Sequence, residues 1–433
     1  MLFREVPDAV LTVLNSHPWL DEHREVTVVR ALDGRVRVFV ETDANHQRPL
    51  DAQLAALETD LRAAIGSWLG DERPVWARPR SGHDGIVAAI HAARKPWDVP
   101  TQRGVPLFRV ERHAARHGWV GELPYNPPWT LEEADAGTHP PVVTFFSHKG
   151  GVGRTTALVA VAIHLAERDH KVLVIDLDLE APGLGTLLAE PAPTEPGLLD
   201  LLVGPDDVVD AHLSAVATPH SATIAVNGPS IQVVKAGEVD DDYLDLLARL
   251  DLHGQRDVED VTRRLRTVIQ KLAADHSVDV VLLDARTGFH DVGGVALGAL
   301  SHGAVFFGLS NEQSWQGLRA VARMLASAGY DDDDGKPKVW LQVVHALAPA
   351  SGNDDEEETF KLRASDELAA HYYVEGHVPQ DVSVLALPFR EALRGAGDQL
   401  TSKALAVLRE GPWNALAEAI AVRYTSLATE ENY

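Results

Sequence analysis

The chain is expected to fold as an α/β protein, with a mostly parallel sheet flanked by helices and a small N-terminal α+β domain in front of it. Three observations lead there. After Pro141, short apolar runs alternate with helical stretches, the pattern of a parallel sheet covered on both faces. A glycine-rich turn, "KGGVGRTT", stands between the first of those runs and the first of those helices. Before residue 120 the pattern differs, with β-branched runs of hairpin type and amphipathic helices. At 433 residues the chain is long enough for two domains.

In the first region, residues 1–120, the runs 26–32 and 36–42 flank "DGR", a hairpin signal. Leu54, Leu57, Leu61, Ile65 and Leu69 recur at helical spacing. "IVAAIHAARKPW" predicts a short helix stopped at Pro96, and "PLFRVERHAARHGWVGELP" a further strand pair. Trp19, Trp68, Trp76, Trp97, Trp119 and Trp129 fall in or just after this region. They are read as buried, the alternative being an aromatic patch for a partner. "GELPYNPPWTLEEADAGTHPP", residues 121–141, is rich in Pro, Gly and acids and is read as a linker.

Residues 142–433 form the second domain. Its expected order is "VVTFF", a helix over 155–168, "KVLVID", a helix-rich stretch over 240–275, "VDVVLLD", a helix over 292–300, "AVFFGLS", a helix over 312–328, and "KVWLQVVH". "YDDDDGKPK" and "ASGNDDEEET" lack the spaced ligands and central glycine of a calcium loop and are read as solvated.

In the strand–loop–helix setting, Gly150, Gly151 and Gly153 let the backbone curl so that its N–H groups, with that of Val152, point at phosphate oxygens. The helix that follows adds the positive end of its dipole. Thr155 stands where a hydroxyl binds Mg2+, and Thr156 where one reaches the α-phosphate. Asp176 and Asp178 end one apolar strand and Asp284 another, at the edge where open α/β sheets gather ligands.

"SHKGGVGRTT" resembles the deviant Walker A loop, KGGxGKT, of the ParA/MinD class of P-loop ATPases (the SIMIBI class). The resemblance runs from about residue 142 to 424. With "DLDLEAPGLG", "DARTG" and "NEQSWQG" it is similar to a KGGVGR-motif variant branch associated with bacterial conflict and signalling loci. The resemblance implies ATP and Mg2+ as cofactors and a homodimer with nucleotide at the interface, Lys149 crossing to the partner's nucleotide. It makes Asp178 the switch aspartate that positions attacking water, Asp284 the Walker B carboxylate facing Mg2+ and Gly288 the second-switch glycine, with Asp176 supporting the metal. Pro388, in "LALPFREAL", falls near the base, and His345 takes the place of an asparagine common in the class. No "NKxD" guanine signature is present, which favours ATP and leaves GTP open.

Two departures stand out. Arg154 replaces the loop lysine; it keeps the charge and can grip two phosphate oxygens, so binding is expected and hydrolysis can be slow. Arg286 enters the second switch, reaching phosphate, a partner acid or the surface. Glu180 is an added carboxylate with no family role, and His290 is read as structural or exposed.

The absence of cysteine excludes disulfides, thiolate catalysis and Cys-ligated metal. The start of the chain lacks the basic and apolar regions of a signal peptide, and no stretch approaches the roughly 18 apolar residues of a membrane helix. A cytoplasmic protein is expected. The net charge of −25 opposes DNA and anionic lipid. Trp413, Leu416, Ile420 and Tyr424 are spaced for a helix packed on the domain rather than a membrane anchor.

The favoured reading is a nucleotide switch: a slow, dimerising ATP hydrolase in a bacterial defence or signalling system, with residues 1–120 engaging a protein partner. The alternatives are a DNA-partitioning or positioning ATPase, drawing on Arg390, Arg394, Lys403 and Arg409, and a nucleotide-binding regulatory module with little turnover. A bacterial tyrosine kinase of related fold is disfavoured by the lack of a tyrosine-rich tail.

Overall fold

The computed structural model describes residues 3–43, 50–79, 85–97, 99, 103–112, 115–120, 123–131, 139–189, 196–203, 212–221, 224, 231–250, 255–331, 335–349, 354–379, 382–394 and 400–424. The chain divides into two compact units, Met1–Ala114 and Ala115–Tyr433.

In the first unit, β1 (Glu25–Arg30) and β2 (Val36–Thr42) form the hairpin, joined by β3 (Val75–Pro79), β4 (Lys95–Pro96) and β5 (Leu107–Glu111) in the order β3-β2-β1-β5-β4. Strand side chains alternate between faces. Val26, Val38 and Val40 therefore pack with Val10 and Leu14 of the helix Val6–Asn15 and with Leu57 and Leu61 of the helix Asp51–Ile65. Val29 and Phe39 face the other way, toward Val87 and Ile90 of the helix Gly85–Ala93. The second strand expected after β5 is instead a helical turn, His117–Val120, which belongs to the second unit.

Glu25 and Glu41 are direct partners across the hairpin, 6% and 1% exposed. Like charges facing each other across strands repel. Arg94 offsets this by pairing with Glu25, and His91 Nε2 contacts Glu41 and lies 3.8 Å from Glu25.

The second unit is built on eight strands: β6 (Val142–Ser147), β7 (Val172–Leu177), β8 (Ala217–Pro219), β9 (Ile231–Val234), β10 (Val280–Ala285), β11 (Gly303–Gly308), β12 (Trp340–Ala348) and β13 (Val384–Pro388). Their order is β13-β12-β11-β6-β10-β7-β9-β8, parallel throughout except for the edge strand β8. β6, β7, β10 and β11 are buried at every position, which is why they read as continuous apolar runs. The helix Arg154–Ala166 is buried on all sides from Ala157 onward, between the sheet and the C-terminal helix Gly411–Arg423. Trp413, Leu416, Ile420 and Tyr424 are all buried there.

The segment read as a linker is pinned to the second unit wherever residues 121–141 are described. A proline-rich stretch cannot satisfy its own carbonyls, so side chains of the domain do so. Arg266 donates to Asn126 O at 2.6 Å, Gln270 to Pro128 O at 2.7 Å, and His302 Nε2 to Trp129 O at 2.8 Å. His302 Nδ1 accepts from Val142 N at 3.0 Å, so the ring bridges this strap and the start of β6 as a neutral imidazole.

Burial pushes the His302 pKa down to about 4. Its ordinary value is near 6.5. The unfolded chain therefore takes up a proton that the folded chain refuses, and stability present above pH ~6.5 is lost as pH falls through about 4. In His302→Asn, unfolding measured against pH should show a flatter slope over that interval. In the first unit, Arg94→Met leaves two facing carboxylates short of a cation and should cost roughly 3 kcal/mol or more in denaturant unfolding.

Candidate functional site

The site forms at the C-terminal edge of the second unit's sheet. β6 ends at Ser147, and the loop that follows carries positive φ at Gly151 (74°) and Gly153 (82°) before the helix begins at Arg154. A Cβ added at either glycine would meet nothing within 4 Å, so both backbones border open space. Among the described residues the half-buried Lys149 side chain makes no ion pair or hydrogen bond.

Asp284 and Asp176 are register partners on the adjacent parallel strands β10 and β7, and Asp178 follows two residues after Asp176. Arg154 runs into this cluster rather than over the loop glycines. Its Nε donates to Asp284 Oδ1 at 2.7 Å, and its Nη2 lies 3.3 Å from both Asp178 Oδ2 and Thr155 Oγ1. Thr155 Oγ1 donates to Asp284 Oδ2 at 2.7 Å. Arg154 is 6% exposed. Burial opposes its charge, but Asp284 and Asp178 more than offset that and hold the guanidinium protonated. The planar fork here grips two carboxylates, the same groups that would compete with phosphate for it.

Asp176, expected beside the metal, is held by backbone N–H groups. Its Oδ1 accepts from Asp178 N at 3.0 Å, and its Oδ2 from Gly183 N at 3.2 Å and Leu184 N at 3.0 Å. It closes the first switch loop on itself. Burial, with Asp284 alongside, pushes its pKa up to about 7. Glu180, which has no counterpart in the family motif, pairs with Arg286, whose Nε also lies 3.8 Å from Asp178 Oδ1. The loops after β7 and β10 are thereby linked by opposite charges. His290 Nδ1 stands 3.4 Å from the same Glu180 carboxylate.

The segment after β10 is wired to the loop and to the strap. Gly288 N donates to Ser147 O at 3.2 Å. The Phe289 ring lies between His148 of the loop (4.7 Å between centroids) and Trp119 (4.8 Å). The Trp119 indole donates to His290 O at 2.7 Å, and Asp291 Oδ1 accepts from Gly118 N at 2.8 Å. Gly118 and Gly294 permit this approach: a Cβ on Gly294 would stand 2.4 Å from Gly118 O. Gly317, in "NEQSWQG", makes room in the same way, since its Cβ would fall 2.3 Å from the His148 Cβ.

A cavity of about 330 Å³ opens beside the loop. Gly151, Val152, Gly153 and Thr156 form one wall, and Pro388, Phe389 and Leu347 face them. Of these three, the sequence points to Pro388 alone. Phe389 and Leu347 carry no motif, and only the pairing of β12 with β13 brings them together here. His345, by contrast, does not line this cavity: it is buried, stacked on Phe360 at 4.1 Å and 3.2 Å from Ser310 Oγ.

Phosphate fits the loop. Ser147 Oγ and Arg154 Nη1 are buried without a hydrogen-bond partner among the described residues, beside glycines that border open space. Mg2+ does not fit beside it. Thr155 and Asp284 are the right donors, but the Arg154 guanidinium already stands against Asp284 Oδ1 and Asp178 Oδ2, where a second cation would be repelled.

The contact of Gly317 with His148 gives a direct test. Gly317→Ala should lose roughly 1–3 kcal/mol in thermal or denaturant unfolding, the usual cost of overpacking. Gly298→Ala, whose new methyl would meet the flexible Met324 side chain at 3.3 Å, should lose less.

Comparison with known proteins adds the family. Residues 141–225 match a family model described as an AAA domain. The sporulation initiation inhibitor protein Soj of Bacillus subtilis is 32% identical over 97 residues, 22% of this chain and 38% of that one. An uncharacterized ATP-binding protein of Methanocaldococcus jannaschii is 40% identical over 70 residues, 16% of this chain and 26% of its own. The chain thus spans well under half the length of these relatives. The septum site-determining protein MinD of Pyrococcus horikoshii, solved with Mg-ADP, superposes with a TM-score of 0.44 at 17% identity, over 67% of this chain and all of that one. Through the segment that builds β6, the glycine loop and β7, the chain is similar to P-loop ATPases of the ParA/MinD type.

Proposed function

We propose that this protein is an ATP-dependent switch: nucleotide binding at the glycine loop is read out through the second switch and the strap that follows the N-terminal unit. The observation that carries the reading is the cavity shared by loop glycines and the Pro388 segment. Its walls combine the glycine-loop backbone on one side with apolar and aromatic surface, together with Arg390 and Arg394, on the other, chemistries that suit a nucleotide. Gly151, Val152 and Gly153 would cradle the phosphates, with Thr156 beside them, and Pro388, Phe389 and Leu347 would face the base.

In this reading Asp178 acts on water. Its Oδ2 is held by Arg154, while its Oδ1 is buried without a hydrogen-bond partner among the described residues and can accept from a nucleophile. A cluster in which Arg154 already occupies both acids favours slow turnover. Phosphate contacts that shift Gly288 or His148 would press on Phe289 and so on Trp119, five residues past the end of the first unit. The first unit would then be the module that meets a protein partner, in a bacterial defence or signalling system.

Lys149, without an ion pair or hydrogen bond among the described residues, is assigned to the partner subunit's nucleotide in a homodimer. DNA partitioning draws less support. Arg390, Arg394 and Arg409 are each paired with an acid, Glu410, Glu391 and Glu167, so they offer no free basic stripe.

Size measured with ADP and with a non-hydrolysable ATP analogue tests this. The wild type should be monomeric with ADP and dimeric with the analogue. Lys149→Ala should stay monomeric in both while still binding nucleotide; a Lys149→Ala dimer would remove the cross-subunit contact.

A further inference from the structure

We propose that Arg154 is the resident cation of this site, holding its acid side in place of a divalent metal, so that nucleotide binds without magnesium. The proposal rests on the nucleotide-binding reading above and adds how that site is neutralised.

The geometry is that of a cation site filled by a side chain. Nε and Nη2 lie on one edge of the planar guanidinium, and this edge meets Asp284 Oδ1 at 2.7 Å and Asp178 Oδ2 at 3.3 Å. The same Nη2 stands 3.3 Å from Thr155 Oγ1, whose proton is given to Asp284 Oδ2. The side chains that a metal would draw on, Thr155 and Asp284, are therefore already joined, together with Asp178, through one positive charge. A lysine ammonium at this position is a compact point charge, without the rigid fork that spans two carboxylates on neighbouring strand ends. The guanidinium also cannot be deprotonated, so the charge is permanent where a bound metal would exchange.

Two further features agree. Arg154 is 6% exposed, and its remaining donor, Nη1, is buried without a hydrogen-bond partner among the described residues. A guanidinium with one edge on carboxylates and one nitrogen unused has a donor left for an incoming anion. Asp284 accepts from Arg154 on one oxygen and from Thr155 on the other, so a metal at its remaining lone pairs would stand beside the Arg154 guanidinium and be repelled by it. Nucleotide phosphates entering the glycine loop thus meet acids that are already compensated. That compensation is the role a magnesium ion would fill for a loop carrying lysine.

The test is nucleotide affinity of the full chain with and without divalent cation, using a fluorescent ADP derivative in magnesium buffer and in EDTA. For the wild type the affinity should change by less than about threefold on chelation. Arg154→Lys, which keeps the charge and loses the fork, should bind at least about tenfold more weakly in EDTA than in magnesium. Thermal unfolding gives a second readout without nucleotide: magnesium alone should raise the melting temperature of Arg154→Lys and leave the wild type unmoved. A wild type that loses tenfold or more in EDTA would overturn the proposal while leaving nucleotide binding intact. A wild type that binds the probe in neither buffer would overturn the nucleotide reading itself. Should Arg154→Lys not fold, the two wild-type arms decide the matter alone.

Discussion

The bond from Arg154 Nε to Asp284 Oδ1, 2.7 Å long and shielded from solvent, joins the first residue of one helix to the end of a buried strand. Much of the second unit is organised around it. Asp284 stands in register beside Asp176, and Asp178 lies two residues on, so three carboxylates converge where the sheet ends. Acids this close, and this deep, cannot all stay ionised without a cation among them. Arg154 supplies it for Asp178 and Asp284. Asp176, further from that charge, is left with backbone N–H groups and a pKa pushed up to about 7. An ion pair taken out of water contributes little net stability, but loss of either partner leaves the other buried and unpaired. The pair therefore acts as a constraint on geometry: helix start, strand end and first switch hold one arrangement.

From that fixed point two layers of contact lead outward. The charged layer runs from Asp178 to Arg286 and from Arg286 to Glu180, linking the first switch to the second. The aromatic layer runs from His148 through Phe289 to Trp119. Both pass through the same short stretch after β10, where Gly288 bonds back to the end of β6. The stretch is held from the loop side and from the strap side, and little separates the two. A Cβ on Gly118 would stand 2.3 Å from Asp291 O, so the strap and the helix Asp291–Val295 cannot slide without moving one another. Packed contacts of this kind transmit displacement because interiors compress very little.

Apolar patterning alone marks the central strands. β6, β7, β10, β11 and β12 lie where the runs "VVTFF", "KVLVID", "VDVVLLD", "AVFFGLS" and "KVWLQVVH" stand. The outer strands β8, β9 and β13 have no such mark, being three to five residues long and without a long two-sided apolar run. The strap is hidden for a different reason. Its proline-rich composition is that of a linker, and the groups that hold it to the domain, donors from Arg266, Gln270 and His302 among them, come from far away along the chain.

The glycine loop, its two threonines and the strand-end acids are legible in the sequence because their spacing along a few residues dictates backbone shape and sheet edge together. Where the long side chains point is not. Arg154 could turn to phosphate or to carboxylate, and the choice follows from Asp178 and Asp284 arriving beside it from two other strands. Glu180 and Arg286 likewise meet only because β7 and β10 are neighbours in the sheet. Local sequence sets what a backbone segment can do. The partner of a buried charge is set by whichever opposite charge the tertiary fold brings within a few ångströms, since at that depth water is no longer there to compete.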